Sequence, residues 1–408
     1  MQLRFLMYLT LNDVDVNNKR VLLRVDFNVP LDNEGNVAND KKIRETLPTL
    51  HYLQQHNAKT IIITHVGRPG DGSAELKVDG IVRRLSKLLG KPITKTDDCV
   101  GHETEKIVYA MRPKDIVMLE NVRFNSGEKD KDKLKREAFG QQLAALCDIY
   151  VNDAFANSHR DHASMTAVPR FVTGCIGLSA QRELEKIGQA LQHKKKPFVT
   201  IVGGLKADKL NAITHLLTLS DYVLLGGSLS LLFTQIKGHS IGKSRIDVEG
   251  VEHAQEQIKK LLSHTNLVLP VDFLVADKFD AHARCEVVAA DRIPADMMAV
   301  DIGPKTIELY KKYIATAKTV IWNGPMGAFE LDPFEHGTAE IARAIARSGA
   351  VSIVGGGDSS TAIEKFHLLS SITHVATGGG ASLMLLEGKT LPAIAALEES
   401  YAQHNKCL

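Results

Sequence analysis

The chain has 408 residues, 44% of them hydrophobic, which is enough for a substantial core in each of two halves. Because cores rarely grow to this size undivided, two domains of roughly 200 residues each are expected. The 50 Lys and Arg residues nearly balance the 48 Asp and Glu residues. This balance excludes the strong basic excess that is typical of a general nucleic-acid or membrane binder.

The cysteines and the N-terminal segment argue against further classes of protein, those held by disulfides or zinc and those with a signal peptide or membrane anchor. Five cysteines lie at 99, 147, 175, 285 and 407 and none is spaced as CxxC, which argues against a disulfide framework or a zinc site. Reduced thiols in a cytoplasmic protein are the simpler interpretation. The short apolar N-terminus has no cleavage site and no stretch approaches the ~20 apolar residues of a spanning helix, so neither a signal peptide nor a membrane anchor is predicted. Without a long heptad seam, a monomer is the default expectation.

Short β-branched and aliphatic runs alternate with longer amphipathic stretches along the whole chain. The predicted strands are Val21–Val25, Thr60–Thr64, Ile116–Leu119, Ile149–Asn152, Phe198–Val202, Tyr222–Leu225, Val268–Val271, Val320–Trp322, Val351–Val354 and His374–Ala376. The predicted helices include Val78–Leu89, Lys133–Leu146, Val251–Leu262, Thr338–Ser348 and Ser359–Phe366. Such alternation indicates βαβ units. The predicted fold class is therefore α/β, with two Rossmann-like three-layer domains whose parallel sheets are joined by a hinge helix.

The best domain boundary follows the helical pattern at Gln181–His193, which places Leu184, Ile187 and Leu191 on one face. Lys194–Lys196 and a proline come next, and then a new strand begins. We expect an N-terminal domain, a connector, a C-terminal domain and a tail that packs back on the first domain. Their predicted limits are 1–180, 181–196, 197–396 and about 397–408.

Polar and cationic side chains follow four predicted strands of the first half. Because ligands bind at the carboxyl ends of parallel strands, these side chains should line one rim. The guanidinium fork of arginine matches carboxylate and phosphate oxygens, so several arginines on one rim suit a small, multiply charged anion. A lone arginine would more simply be a surface ion pair, and each imidazole has a core role as an equal alternative. The candidates are Asp26, Asn28, Arg44, His65, Arg68, Arg123, His159, Arg160 and His162.

Glycine-rich loops follow the strands of the second half. Glycine allows the backbone to approach a ligand closely, and a helix that begins after such a loop directs free N–H groups at phosphate. The loops are Gly203–Lys209, Gly226–Gly227, Asn323–Gly327, Gly355–Ser359 and 377–380. Together they indicate a nucleotide site, and Asp358 adds a carboxylate for Mg²⁺. The chain has no GxxxxGK[ST] loop, no GxGxxG turn and no protein-kinase HRD or DFG motif.

These loops carry motifs that resemble the phosphoglycerate kinase family in the same order along nearly the whole chain. The motifs are VDFNVP (25–30), IRETLPTL (43–50), HVGRP (65–69), LENVRF (119–124), NDAF…HRDHAS (152–164), GGLKADK (203–209), LPVDF…ADKF (269–279), WNGPMGAFE (322–330), GGGDSS (355–360) and TGGGASL…LEG (377–388). The resemblance implies reversible phosphoryl transfer between 1,3-bisphosphoglycerate and ADP, which gives 3-phosphoglycerate and ATP with Mg²⁺. It also implies domain closure and poor ATP hydrolysis without an acceptor.

The resemblance also assigns roles to residues of this chain. The phosphoglycerate contacts would be Asp26, Asn28, Arg44, His65, Arg68, Arg123 and Arg160. The nucleotide contacts would be Gly203, Gly204, Lys206, Lys209, Gly226, Gly227, Asn323, Pro325, Glu330, Gly356, Gly357, Asp358 and Ser359, with Glu330 on the ribose and Asp358 on Mg²⁺. The groups that stabilise the transferring phosphoryl would be Arg44, Lys206, Lys209, Gly357 and Gly380.

The chain departs from the family pattern in the first half at Ala156 and Asn157, where the family commonly has Gly-Thr, and more strongly in the nucleotide half. Lys206 and Lys209 are three residues apart where the family has four, which leaves their roles less secure. Arg245 stands where an apolar residue often lines the adenine site, and Ser228 stands where a third glycine is common. One alternative is a binding protein that has lost turnover through the shortened lysine loop. A second is a Rossmann-type dehydrogenase, which requires a GxGxxG turn that this chain does not have.

Overall fold

The computed structural model describes residues 7–69, 76–192, 195–204, 209–246, 248–376 and 378–404. The chain divides into two compact units. The first unit consists of two segments, the chain up to Glu185 and the chain from Thr390 onwards. The second unit is Lys186–Lys389. The boundary falls inside the helix Leu178–Gln192. No helix in the described part of the chain is long and apolar enough to cross a membrane.

Strands and helices alternate through both units. The strands are β1 (Leu9–Thr10), β2 (Arg20–Val25), β3 (Lys59–Ile63), β4 (Thr94–Lys95), β5 (Ile116–Met118), β6 (Ile149–Asp153), β7 (Thr173–Ile176), β8 (Phe198–Val202), β9 (Tyr222–Leu225), β10 (Leu267–Val268), β11 (Asp272–Ala276), β12 (Cys285–Ala289), β13 (Met298–Ile302), β14 (Thr319–Asn323), β15 (Val351–Gly355) and β16 (His374–Val375). The helices are α1 (Lys41–Gln55), α2 (Asp79–Leu89), α3 (His102–Tyr109), α4 (Lys133–Ala145), α5 (Leu178–Gln192), α6 (Leu210–Leu219), α7 (Gly227–Ile236), α8 (Val248–Leu261), α9 (Pro304–Thr316), α10 (His336–Arg347), α11 (Gly357–Lys365), α12 (Gly379–Leu386) and α13 (Pro392–His404).

A seven-stranded sheet forms the centre of the first unit, in the order β1-β7-β6-β2-β3-β5-β4. All its strand pairs are parallel. Leu23 of β2 pairs with Ile62 of β3 on one side and with Val151 of β6 on the other, and all three are fully buried. Chain order reverses at β2, so the crevice at its carboxyl end is the expected ligand position.

The second unit is built on a six-stranded parallel sheet in the order β10-β9-β8-β14-β15-β16. Chain order reverses between β8 and β14. Asn323, the last residue of β14, pairs with Val202 of β8 and with Gly355 of β15. Because these strands end in register, the glycine loops that follow them begin at the same level of the sheet.

The predicted α/β class with parallel sheets is confirmed, but one region differs. Of the predicted strand Val268–Val271, only Val268 lies in a strand, as the last residue of β10, and Val271 is 47% exposed. The chain then enters a three-stranded antiparallel sheet in the order β12-β11-β13, which was not predicted. Its outer strand β12 is largely exposed, so it lacks the apolar run by which the other strands were recognised.

Two buried acids accept hydrogen bonds from backbone N–H groups at the starts of two helices. Asp153 Oδ1 accepts hydrogen bonds from the N–H groups of Ser179 and Ala180 at the start of α5, at 2.8 and 3.0 Å. Asp301 likewise accepts the N–H of Gly337 at 2.5 Å in α10. Burial raises the pKa of Asp153 to about 7 and that of Asp301 to about 8. Asp153 Oδ1 and both carboxylate oxygens of Asp301 accept hydrogen bonds from backbone N–H groups, so we assign both acids a structural role.

The C-terminal helix α13 packs within the first unit. Leu397 is fully buried, and Ser400 Oγ accepts the N–H of Gly174 in β7 at 2.9 Å. The N–H of Ala393 donates to the carbonyl oxygen of Ser158 at 3.1 Å. Side chains of this helix therefore complete the core beside β7.

Candidate active site

A basic cluster lies at the carboxyl end of the first unit's sheet, formed by Arg24, His65, Arg68, Arg123 and Arg160. His65 and Arg68 follow β3, Arg123 follows β5, and Arg160 follows β6. Burial, followed by the charges of Arg160 and Arg24, lowers the pKa of Arg123 to about 10. The positive charges are thus close enough to destabilise one another, which is the arrangement of an anion site.

His65 lies in the middle of this cluster with 2% of its surface exposed. Its Nδ1 is 3.3 Å from Nη2 of Arg24. Because a guanidinium can only donate, Nδ1 must accept, and the imidazole carries its proton on Nε2. Burial and the charges of Arg24 and Arg123 hold the pKa of His65 far below its ordinary value. His65 is therefore a neutral donor throughout the physiological pH range.

The depressed pKa of His65 predicts an acid-sensitive first unit. Because the folded pKa lies below the unfolded value near 6.5, the stability due to neutral His65 is complete above that pH and is lost as the pH falls below it. Between pH 7.5 and 5.5 the loss should be about 1.4 kcal/mol. His65→Gln, which does not titrate, should lose that much less over the same interval. Amide hydrogen exchange of β2 and β3 measures the difference, and an equal loss in both proteins would contradict the assignment.

Two polar residues after β2 border the cluster. Asn28 Oδ1 accepts the N–H of Gly67 at 2.8 Å, which fixes the amide of Asn28 beside the loop that carries Arg68. Asp26 Oδ2 accepts a hydrogen bond from Lys42 Nζ at 2.8 Å. The rim therefore offers carboxylate and amide acceptors next to cationic donors, as a ligand with hydroxyl and anionic groups requires.

Unsatisfied polar atoms point into the same region. Among the described residues, the buried Arg123 Nε and Asn157 Nδ2 have no hydrogen-bond partner. Buried polar groups in folded proteins are rarely left unpaired, so such atoms indicate the position of a ligand or water. Asn157 was seen in the sequence only as a departure from the family pattern.

Arg44 stands apart from this cluster. Its Nε lies 2.9 and 3.0 Å from the two carboxylate oxygens of Asp40, four residues earlier in the chain, and its side chain is 53% exposed. Arg84 also bonds to Asp40, and both arginines lower the pKa of that carboxyl group. The predicted role of Arg44 at the transferring phosphoryl therefore stays a prediction.

Arg24 is a member of the cluster that sequence reasoning missed. It is 1% exposed within β2, and its Nε donates to Ser164 Oγ at 2.9 Å. Ser164 Oγ in turn donates to Glu128 Oε1 at 2.8 Å, and Glu128 is fully buried. The available signal was an arginine inside the apolar run VLLRV, since a buried charge requires partners.

In the second unit, the loops after β8, β9 and β14 interlock through their backbones. Gly204 N–H donates to the carbonyl oxygen of Pro325 at 3.0 Å, and Gly227 N–H donates to that of Met326 at 2.9 Å. A Cβ on Gly203 would lie 2.1 Å from the Pro325 carbonyl oxygen. The predicted glycines are thus brought together, and close backbone contact explains why they are glycines.

Two helices begin next to each other at the same end of the sheet. Gly357 begins α11 and Gly379 begins α12, and a Cβ on Gly379 would lie 3.1 Å from Cα of Gly356. Gly380 follows within α12. Unpaired N–H groups and the positive ends of two helix dipoles therefore meet, which favours a phosphate.

Two unpaired buried side chains line this junction. Asn323 Nδ2 and Ser382 Oγ have no partner among the described residues. They lie 3.5 and 3.7 Å from the position that a Cβ of Gly355 would take. Ser382 was not predicted. Ser359, which was predicted, is fully buried and its Oγ accepts the N–H of Gly324 at 2.7 Å, so it supports the loop.

Lys209 reaches the interlocked loops from the start of α6. Its Nζ donates to the carbonyl oxygen of Gly203 at 2.7 Å and lies 3.5 Å from that of Asn323. Lys206 and the rest of 205–208 lie outside the described residues, as does position 377. The consequence of the shortened spacing between the two lysines therefore stays a prediction.

A cavity of about 260 Å³ adjoins these loops. Its lining includes the apolar side chains of Leu231, Phe273 and Val300 and three acids. The acids are Asp301, Glu330 and Asp358. Apolar walls with a few polar groups are typical of a site for a flat organic ligand.

The acids available for a metal are few. Among the described residues, no group of three or more His, Cys, Asp or Glu side chains is arranged to hold a metal ion. Asp358 is exposed in the first turn of α11, beside the paired helix N-termini. A Mg²⁺ ion that is shared with nucleotide phosphates needs only one or two protein carboxylates, so Asp358 fits that ion.

Comparison with known proteins agrees with this geometry. A sequence profile of the family described as "Phosphoglycerate kinase" matches residues 11–389. The chain is 45% identical to the phosphoglycerate kinase of Moorella thermoacetica and 46% identical to that of Pelotomaculum thermopropionicum, over 96% and 95% of its length and 99% and 98% of theirs.

Solved structures show the same relationship. The chain is similar to phosphoglycerate kinase from Coxiella burnetii, with a TM-score of 0.82 and 37% identity over 96% of this chain and 99% of that one. For the enzyme from Pyrococcus horikoshii the TM-score is 0.84, with 32% identity over 97% and 100%. On this evidence the chain belongs to the phosphoglycerate kinase family.

Proposed function

We propose that the basic cluster of the first unit binds phosphoglycerate and that the glycine loops of the second unit bind the magnesium nucleotide. The reaction of the family is reversible transfer of a phosphoryl group between 1,3-bisphosphoglycerate and ADP, which gives 3-phosphoglycerate and ATP in glycolysis. The observation that carries the assignment is the difference in charged groups between the two candidate sites. Mutually repelling, partly buried cations mark the sheet end of the first unit, and unpaired helix N-termini mark that of the second.

In the first unit, His65 Nε2–H and the Arg123 guanidinium are proposed to donate to oxygens of the phosphoglycerate phosphate. The neutral imidazole supplies a donor without adding to the repulsion among the arginines. Asp26 and Asn28 are proposed to take the hydroxyl and carboxyl end of the ligand. An anion would satisfy the unpaired Arg123 Nε and would offset both the burial of its charge and the repulsion by Arg160 and Arg24, which lower its pKa.

In the second unit, the N–H groups at Gly357 and Gly380 are proposed to hold the outer phosphates, with the unpaired Asn323 amide beside them. Glu330 is proposed to accept from the ribose hydroxyls. When bound, Mg²⁺ would be held by Asp358 and would offset phosphate charge. The protein's work is then positioning and charge stabilisation, which is what phosphoryl transfer requires.

Lys209 is proposed to stabilise charge on the transferring group. Replacing Lys209 with methionine should lower kcat by about a hundredfold, because removing one preorganised donor from a reacting oxygen typically has that effect. Stopped assays with saturating ATP and 3-phosphoglycerate measure it, with the exposed Lys260→Met in α8 as control. A loss of less than about twofold would remove Lys209 from the mechanism.

A coupled assay tests the proposed function as a whole. The chain is supplied with ATP, Mg²⁺ and 3-phosphoglycerate, and the 1,3-bisphosphoglycerate formed is followed through a second enzyme that oxidises NADH. Turnover that requires all three components supports the proposal. Thermal stabilisation by the ligands without turnover would show a binding protein instead. We place the reaction in the cytoplasm, because glycolysis and its ADP and ATP pools are found there.

A further inference from the structure

We propose that Arg245 makes the nucleotide site select 6-oxopurine nucleotides, those of guanine and hypoxanthine, over adenine nucleotides. The inference deepens the proposed function, because it assumes that the cavity of the second unit holds the nucleotide base. Arg245 is the one cationic side chain among the described residues that line this cavity. The rest of the described lining is apolar or glycine, apart from Ser228 and the acids Asp301, Glu330 and Asp358. Arg245 is therefore the lining side chain that offers a fork of donors to the acceptors of a base edge.

The backbone that carries Arg245 is fixed against the cavity wall. Lys243 N–H donates to the carbonyl oxygen of Met297 at 2.8 Å, and Ala299 N–H donates to Ser244 Oγ at 2.9 Å. The next residue, Ile246, packs on the small core cluster of the antiparallel sheet. Hydrogen bonds before Arg245 and apolar packing after it fix the point on the rim from which its exposed side chain extends.

The side chain itself is held by an aromatic ring. The Arg245 guanidinium carbon lies 5.5 Å from the ring centroid of Phe279, within the range of a cation–π contact. Phe279 is in turn placed by the fully buried Phe334, with 5.9 Å between ring centroids. Among the described residues, the Arg245 guanidinium has this cation–π contact and no hydrogen bond or ion pair. Its N–H donors therefore stay available to a ligand.

The chemistry of the purine edge then decides which base fits. A guanidinium has five donors and no acceptor. Guanine and hypoxanthine present two acceptors, O6 and N7, on one edge, and a bidentate pair with arginine is the common way to recognise them. Adenine keeps the N7 acceptor but presents its N6 amino group in place of O6, so one of the two contacts with Arg245 would place a donor against a donor. The charge pattern of the rim therefore favours the 6-oxopurines.

The test compares ATP, GTP and ITP in the assay that detects 1,3-bisphosphoglycerate, because this readout is the same for all three nucleotides. We expect wild-type kcat/KM for GTP and ITP to exceed that for ATP. In Arg245→Leu the ratio of GTP or ITP to ATP should fall about tenfold or more, as expected for loss of one bidentate pair. Arg245→Lys, which keeps the charge without the fork, should recover only part of the ratio. The exposed Arg292→Leu in the same unit should leave the ratio unchanged.

Two results would overturn the inference: a wild-type kcat/KM for ATP above that for GTP and ITP, or a ratio that is unchanged in Arg245→Leu. An unchanged ratio with an equal loss for all three nucleotides would place Arg245 at a part of the nucleotide that the three share. If no nucleotide is turned over, the proposed function fails, and calorimetric binding of ADP, GDP and IDP to wild type and Arg245→Leu still decides the base preference. Fluorescence of the single tryptophan, Trp322, which is buried in this unit, verifies that each variant is folded.

Discussion

Replacing Arg123 with methionine is expected to lower kcat/KM for 3-phosphoglycerate by about 10- to 100-fold and to leave KM for ATP unchanged. Charge-assisted hydrogen bonds contribute about 1.5–3 kcal/mol each, which corresponds to that range. Methionine keeps most of the stem of Arg123 but removes its donors. No large loss of stability should accompany the change, because burial and the neighbouring arginines, which together lower the pKa of Arg123, already disfavour its charge.

The matched control is Arg112→Met, which alters an exposed arginine of the same unit outside the cluster. Steady-state kinetics with each substrate varied in turn, together with thermal melts, separate the effects. An increase in KM for ATP as large as that for 3-phosphoglycerate would contradict the placement of Arg123. So would a fall in activity that only follows a fall in Tm.

Replacing Gly324 with alanine is expected to destabilise the second unit and to abolish tight nucleotide binding. Gly324 has φ of +94°, and a Cβ there would lie 2.2 Å from the carbonyl oxygen of Gly203. The loops after β8 and β14 would have to separate, which displaces Lys209 and the Asn323 amide. Trp322 reports the change directly, because its Nε1 donates to the Gly324 carbonyl oxygen at 2.7 Å.

Gly349→Ala supplies the control for backbone strain alone. Gly349 has φ of +67° but nothing lies within 4 Å of its would-be Cβ. Both variants incur about 1–2 kcal/mol for the left-handed backbone, and crowding should cost Gly324→Ala about 1–3 kcal/mol more. Denaturant unfolding followed by Trp322 fluorescence measures the difference. Equal destabilisation, with nucleotide binding retained in both, would show that the loops are not interlocked as described.

The sequence predicted most of the fold because the parallel strands are buried on both faces. Runs such as Phe198–Val202 and Tyr222–Leu225 are nearly all apolar, and their predicted limits match β8 and β9. The antiparallel sheet could not be recognised in the same way. Its strand β12 is exposed over most of its length, so its side chains need not be apolar and no period marks it.

The candidate site was predictable where chemistry follows a strand end. Glycine and arginine at such positions predict a ligand in any open parallel sheet. Arg24 and Ser382 were not predicted. The importance of Arg24 depends on its burial and that of Ser382 on an unpaired hydroxyl, and local sequence shows neither. Arg44 illustrates the reverse case, since the motif that contains it assigns a role while its guanidinium lies in an ion pair with Asp40.

A crystal structure with 3-phosphoglycerate and Mg–ADP bound tests the central claim most directly. The account predicts the phosphate of 3-phosphoglycerate within hydrogen-bond distance of Arg123 and His65 Nε2. It also predicts the ADP phosphates at the N-termini of α11 and α12, with Asp358 on the metal ion. A phosphoglycerate bound away from the basic cluster, or a nucleotide bound outside the cavity of the second unit, would contradict it.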